Sequence, residues 1–252
     1  MNNILDYKDG SFNFSIKSGE IVTFYGQCNN IISNLMFKNK NDFVSIEGLS
    51  INNKNLDVLR NNVRFVDVDY MDIFNSETIM DELAFPLENA AMNKKEMKEK
   101  VEAIAGKFNF KKINTTAPLS LDSSSRALLQ IGCALIVEPK VIVLNNVLCF
   151  LNRDDLALVL AAFSEFIKNG GCILNFTSDI EESLFGSRII VLGSDKILIE
   201  GETLGVLNEE KIMKRLGIGL PFVISLSKYL KDYELIDRYY LDYKSLGGAL
   251  WK

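Results

Sequence analysis

Apolar residues are distributed in blocks along the 252-residue chain. Short runs rich in β-branched and aromatic residues recur at "FNFSI" (12–16), "IVTFYG" (21–26), "DFVSI" (42–46), "VRFVDV" (63–68), "VIVL" (141–144), "CILNFT" (172–177), "RIIVLG" (188–193) and "KILIEG" (196–201). Each predicts a β-strand. The runs that are apolar throughout predict strands covered on both faces. Other segments switch to a helical period. In "RDDLALVLAAFSEFIKNG", Leu156, Leu160, Phe163 and Ile167 fall on one face and Gly170 supplies a stop. In "NKKEMKEKVEAIAGKFNF", Met97, Val101, Ile104 and Phe108 line one face, with lysine and glutamate opposite. "DSSSRALLQIGCALIVE" opens on Asp122, a strong N-cap residue.

Strands come first, then a mainly helical block from about 75 to 138, then alternating strand and helix. After about 206 the pattern is helical. This order predicts an α/β core interrupted by a helical insertion.

Composition narrows the chemistry more than the fold. The chain is 48% hydrophobic and 24% charged, enough for a substantial core and one or two domains. A net charge of −5 provides no basic footprint, so nucleic acid is not expected as a partner. There is no histidine, which removes histidine bases, histidine metal ligands and Ser-His or Cys-His nucleophilic sites. The four cysteines, Cys28, Cys133, Cys149 and Cys172, form no C-x-x-C pair. Three sit in apolar runs, and they read as small buried residues of a reducing cytosol, not as a disulfide framework or zinc site. The first residues, "MNNILDYKDG", have no apolar stretch of signal-peptide type. The longest uncharged apolar run, "ALLQIGCALIV", is too short to cross a bilayer. The expectation is a soluble chain that can still dock on a membrane protein.

The candidate chemistry lies at strand ends. "SGEIVTFYGQCNNIISNLMF" is strand, tight turn, then helix, and "VIVLNN" is a buried strand ending in two asparagines. The first stretch resembles the phosphate-loop region of the ABC-transporter ATPases. The surrounding frame is similar as well: "IFNSETIMDELAFPLEN" to the segment after the glutamine loop, "LDSSSRALLQIGCALIVEPKVIVLNN" to the signature helix and Walker B strand, and "TSDIEESLFGSRIIVLGSDKILIEGE" to the switch region and closing strands. The tail "LGIGLPFVISLSKYLKD" resembles the C-terminal helices of the energy-coupling-factor branch, whose members serve vitamin and metal-ion importers. The resemblance implies an ABC-type P-loop nucleotide-binding domain over 1–206, with a mixed sheet core and a helical subdomain at about 75–138. A small helical extension over 207–252 follows.

Within that frame almost every chemical motif is degenerate. A phosphate loop needs glycines so that backbone N–H groups converge, a lysine for charge and a hydroxyl for Mg²⁺. Across Gly26, Gln27, Cys28, Asn29, Asn30, Ile31, Ile32 and Ser33, only Gly26 and Ser33 keep the family residue; Ile32 stands for the lysine. Two adjacent β-branched residues tolerate positive φ poorly. The alternative is a loop that packs Ile31 or Ile32 inward, with Ser33 an ordinary helix residue.

The Walker B acids correspond to Asn145 and Asn146, the following aspartate to Asn152, and the switch histidine to Ser178. An amide cannot serve as the base and brings no charge for a metal. The γ-phosphate-sensing glutamine falls near Val68. The acids Asp67, Asp69 and Asp72 around it read as a solvated strand edge rather than a metal site. The signature loop corresponds to Leu121, Asp122, Ser123, Ser124 and Ser125, where Asp122 turns an anion receptor into a helix cap. Tyr7 is the candidate for adenine stacking, with plain packing as the alternative.

The resemblance therefore implies a subunit without catalytic or metal machinery of its own. No cofactor is expected, ATP and Mg²⁺ being implied by the family alone and weakly bound at best. The expected partners are an active ATPase paralogue, in a heterodimer, and an integral membrane transport component. The expected location is cytoplasmic, peripheral on the inner face of the membrane. Docking is expected through Ile73, Phe74, Ile79, Leu83 and Phe85, the alternative being that these form the insertion's own core. A soluble regulatory protein reusing the fold, or an ATPase active through other substitutions, are the competing readings.

Overall fold

The computed structural model describes residues 3–38 and 41–251. The chain opens with β1 (Asn3–Lys8), β2 (Asn13–Lys17), β3 (Ile21–Gly26), α1 (Asn29–Leu35), β4 (Val44–Ile46), β5 (Leu49–Ser50), α2 (Leu56–Asn62) and β6 (Val63–Asp67). The helical block follows as α3 (Ile79–Asn89), α4 (Lys94–Lys107) and α5 (Ser123–Leu135). Then come β7 (Val141–Asn145), α6 (Arg153–Lys168), β8 (Cys172–Thr177), β9 (Arg188–Leu192) and β10 (Ile197–Glu202). The chain closes with α7 (Thr203–Asn208), α8 (Glu210–Arg215), α9 (Phe222–Asp232) and α10 (Tyr243–Leu250).

Two sheets result. The larger has the order β10-β9-β3-β8-β7-β6, parallel except for the antiparallel β9–β10 pair. The smaller is antiparallel, ordered β2-β1-β4-β5. β7 and β8 lie inside the larger sheet and are buried along almost their whole length, as their unbroken apolar runs predict. β10 is an edge strand and alternates in burial.

The period of two decides what each face of the larger sheet meets. Val22 and Phe24 on β3, with Leu174 and Phe176 on β8, point into the core shared with the small sheet and α1. There the Phe24 and Phe176 rings stack with centroids 4.4 Å apart. Ile142, Leu144 and Ile173 point the other way, against α5 and α6.

The helical block has a core of its own, built from Ile79, Leu83 and Leu87 of α3, Val101 and Ala105 of α4, and Leu129. Pro86 sits inside α3 and leaves the Glu82 carbonyl without its usual helical donor. The Cys133 thiol of α5 donates to that carbonyl at 3.5 Å. The C-terminal helices pack on β9 around Val223, Ile224 and Leu246.

Three elements escape the sequence reading: β1, β5 and α2. β1 is half charged or polar, β5 has two residues, and α2 buries only Leu59. The inward face of α6 is centred on Val159, Ala162 and Phe163; of the residues predicted to line it, only Phe163 is fully buried. No helix among the described residues is long and apolar enough to cross a membrane.

Candidate functional site

The carboxyl ends of β3, β8 and β7 lie side by side in the sheet, with Gly26, Ser178 and the Asn145–Asn146 pair at or just beyond them. β3 ends at Gly26, whose φ is +119°. A Cβ at this position would lie 2.4 Å from the Leu192 carbonyl oxygen of β9. The glycine is thus required by strand packing whether or not a phosphate is ever present. Helix α1 starts at Asn29, so Gln27 and Cys28 alone separate it from β3. Ile31 is 1% exposed and Ile32 5%, both in the core. Among the described residues, no non-glycine residue from Gln27 to Ser33 has a positive φ. The segment is therefore the start of an apolar-anchored helix, and Ser33 is a half-buried residue within it. Cys28 is buried, which pushes its thiol up to about 11, with the Asp67 carboxylate adding to the shift.

Asp67 corrects the sequence reading. It lies at the end of β6, paired with Asn145 of β7, and is buried rather than solvated. Its carboxylate accepts the Asp69 N–H at 3.0 Å. Asp69 and Asp72 are exposed as expected, and Asp72 pairs with Arg126. Among the described residues, no group of three or more histidine, cysteine or acidic side chains is placed to hold a metal.

Asn146 and Ser178 meet. Asn146 takes a left-handed φ of +50°, and its N–H donates to the Phe176 carbonyl at 2.9 Å. Asparagine tolerates that conformation better than most residues. Its Oδ1 accepts the Ser178 N–H at 3.1 Å and the Ser178 hydroxyl at 3.3 Å, while its Nδ2 donates to Asn145 Oδ1 at 3.1 Å. Both positions are neutral and bonded to each other.

The signature-like loop turns inward as well. Asp122 caps α5, accepting the Ser125 N–H at 2.7 Å. That bond holds its carboxyl below the usual range, so it stays ionised. Ser123 is exposed, and Leu121 packs partly into the helical block. Ser124 is buried; its hydroxyl donates to Asp155 and accepts the Asn152 N–H at 2.9 Å. Asn152 in turn caps α6, its Oδ1 accepting the N–H groups of Asp154 and Asp155 at 3.0 and 2.9 Å.

Two further predicted roles are corrected. Tyr7 is fully buried and stacked on Phe14. Its hydroxyl donates to Asp9 at 3.0 Å and accepts from Asn34 at 2.8 Å, so the ring is not available to stack on an adenine. Of the five docking residues, Ile79 and Leu83 lie in the core of the helical block because they fall on the inward face of α3. Phe74 packs partly against the same core, while Ile73 (56%) and Phe85 (38%) are exposed. The loop carrying Ile73 and Phe74 is organised by Glu82, a residue the sequence reading passed over. Its buried carboxylate accepts the N–H groups of Asn75 and Ser76 at 2.8 and 2.9 Å.

Comparison with solved structures places this arrangement. The cbiO1 protein of Clostridium perfringens, described as part of the ABC transporter complex cbiONQ, superposes with a TM-score of 0.71 at 18% identity, covering 86% of this chain and 95% of that one. The fold is that of the ABC ATPases. In sequence, the chain is similar to the energy-coupling factor transporter ATP-binding protein EcfA1 of Mycoplasma pneumoniae, 24% identical over 251 residues that span 96% of this chain and 90% of the relative. The EcfA1 protein of Mycoplasmopsis synoviae is 24% identical over 226 residues, 87% of this chain and 85% of that protein. No protein-family model matches. The similarity to energy-coupling-factor ABC ATP-binding proteins extends over nearly the whole chain.

Proposed function

We propose that this chain is a non-hydrolytic ATP-binding-type subunit of an energy-coupling-factor importer, pairing with an active ATPase paralogue and docking on a membrane component. The observation that carries the proposal is the Asn146–Ser178 contact, in which base and switch positions are neutral and satisfy each other. The phosphate-loop segment fits a nucleotide poorly for independent reasons. Ile32 stands where the charge-bearing lysine belongs, α1 begins at Asn29, and the buried Asp67 adds negative charge beside Cys28. No catalytic step is assigned to these residues.

ABC ATPases build each site from one subunit's phosphate loop and the other's signature helix. A homodimer of this chain would hold two impaired sites. With an intact paralogue, one site would join the partner's loop to "LDSSS", and only that site would turn over. The ionised Asp122 places negative charge at its γ-phosphate position and slows it. The role left to the chain is architectural: to complete the dimer and to carry half of the contact with the membrane subunit. Exposed Ile73 and Phe85, with the Glu82-ordered loop beneath Ile73, support that role. On this reading the protein is cytoplasmic and peripheral on the membrane.

Co-expression with its genomic neighbours tests the proposal. A stable detergent-soluble complex with an intact ATPase and a polytopic membrane protein is expected. Ile73→Glu with Phe85→Glu should release the chain from it while leaving it folded. Failure to co-purify with either partner would transfer support to a soluble regulator on the same fold.

A further inference from the structure

Beneath the Asn146–Ser178 contact lies a buried polar cluster on the sheet face opposite Phe24 and Phe176. Thr23 on β3, Asn175 on β8 and Glu182 in the 3-10 turn Ile180–Phe185 are all at least 96% buried. Thr23 and Asn175 are directly paired across the parallel strands. Asn175 Nδ2 donates to Glu182 Oε2 at 2.8 Å. Three atoms remain without a hydrogen-bond partner: Thr23 Oγ1, Asn175 Oδ1 and Glu182 Oε1.

A neutral acid at Glu182 accounts for two of these orphans, Asn175 Oδ1 and Glu182 Oε1. An ionised carboxylate and an amide oxygen both only accept, so neither can satisfy the other. Flipping the Asn175 amide sets an acceptor against Glu182 Oε2 instead. A carboxylic acid removes the conflict, because acid and amide then donate one hydrogen bond each. Among the described residues Glu182 has no salt-bridge partner. The charged group facing it is Asp179, at the head of the same turn, which opposes a second negative charge; Thr177 on β8 offers a neutral hydroxyl. From the 3-10 turn Leu148–Phe150, the Cys149 thiol is pushed up by its own burial.

We propose that Glu182 is a proton-binding site, a neutral carboxylic acid that donates to Asn175 Oδ1 and latches the segment 178–185 to β8. Burial, with Asp179 adding to it, raises the Glu182 carboxyl above its ordinary range, in keeping with this assignment. The latch has two further attachments. At its start Ser178 meets Asn146. In its middle Glu181 Oε1 accepts the Phe222 N–H at 2.6 Å, at the start of α9, where Pro221 supplies no side-chain cap. The proton on Glu182 therefore holds together the former switch position and the C-terminal extension, and losing it loosens both contacts. Because the folded-state carboxyl is raised, its stabilisation is complete below the ordinary glutamate range and is lost as pH rises through the folded value.

The test uses the purified full chain. Carbon-13 NMR of labelled glutamate side chains, assigned through the Glu182 backbone, reports the protonation state directly in the wild type. Hydrogen exchange of 176–185 and 222–232 is followed from acid to mildly alkaline pH in wild type and Glu182→Gln, whose amide reproduces the donor. A protonated Glu182 near neutral pH is expected. Wild-type protection of 176–185, corrected for intrinsic exchange, should fall by up to about tenfold per unit of pH above the ordinary glutamate range, while Glu182→Gln stays flat. An ionised Glu182 at neutral pH overturns the proposal, as do equal pH slopes in the two proteins. Protection that instead tracks sodium or potassium concentration would give the orphaned oxygens to a cation.

Discussion

Placing a lysine at Ile32, where the phosphate-loop resemblance calls for one, is the most informative single change, because the structure predicts a loss where that motif predicts a gain. Ile32 is 5% exposed and belongs to the core between α1 and the sheets. Removing a buried isoleucine side chain costs about 2–5 kcal/mol through lost transfer energy and the cavity left behind. A lysine refills part of that volume with its stem, but its ammonium must reach water or go unpaired, which costs further. Ile32→Lys should therefore destabilise the chain by about 2–5 kcal/mol, a large share of the roughly 5–15 kcal/mol that holds a domain together. It should not confer tight MgATP binding, since Ile31 still anchors α1 and the helix still starts at Asn29. Urea unfolding measures the first effect and calorimetric titration the second. Ile32→Val is the control and should cost only about 0.5–1.5 kcal/mol. A lysine variant within about 0.5 kcal/mol of wild type that also binds MgATP in the micromolar range would refute the reasoning. It would show that the Ile32 side chain is not core and that the cradle still forms.

Two further outcomes follow from the same geometry. Asp122→Ala should cost about 0.5–2 kcal/mol near neutral pH by removing the α5 cap. The Asp122 carboxyl is lowered in the folded state, so this penalty should be present above the ordinary aspartate range and shrink as pH falls through the folded value; urea unfolding across that range checks it. Asn146→Glu should give no ATP turnover in a coupled assay, because the base alone cannot compensate for the missing lysine; turnover that tracks the purified protein would count against the account.

How far the sequence could be read depended on how local each signal was. Strands β7, β8 and β9 announce themselves because burial on both faces requires an unbroken apolar run. β1 does not, since its partners β2 and β4 bury only Ile4, Leu5 and Tyr7 while its other positions stay polar. The Asp122 cap was legible because an N-cap is decided within four residues. Asp67 was misjudged because its burial depends on β7, more than seventy residues away. Ile79 and Leu83 share one face of α3 by helical spacing, which fits docking and core alike. Their inward direction is set by α4 and α5, which spacing alone does not reveal. The Thr23–Asn175–Glu182 cluster had one faint signal, the lone asparagine inside "CILNFT", and its meaning depends on two other elements.

The central claim is that the nucleotide-type site no longer handles nucleotide by itself. Calorimetric titration of the purified chain with MgATP tests it most directly. Losing one charged phosphate contact costs on the order of 3–5 kcal/mol, enough to move a micromolar ligand to about millimolar. No saturable heat is expected in the low-micromolar range. A low-micromolar dissociation constant for MgATP would contradict it.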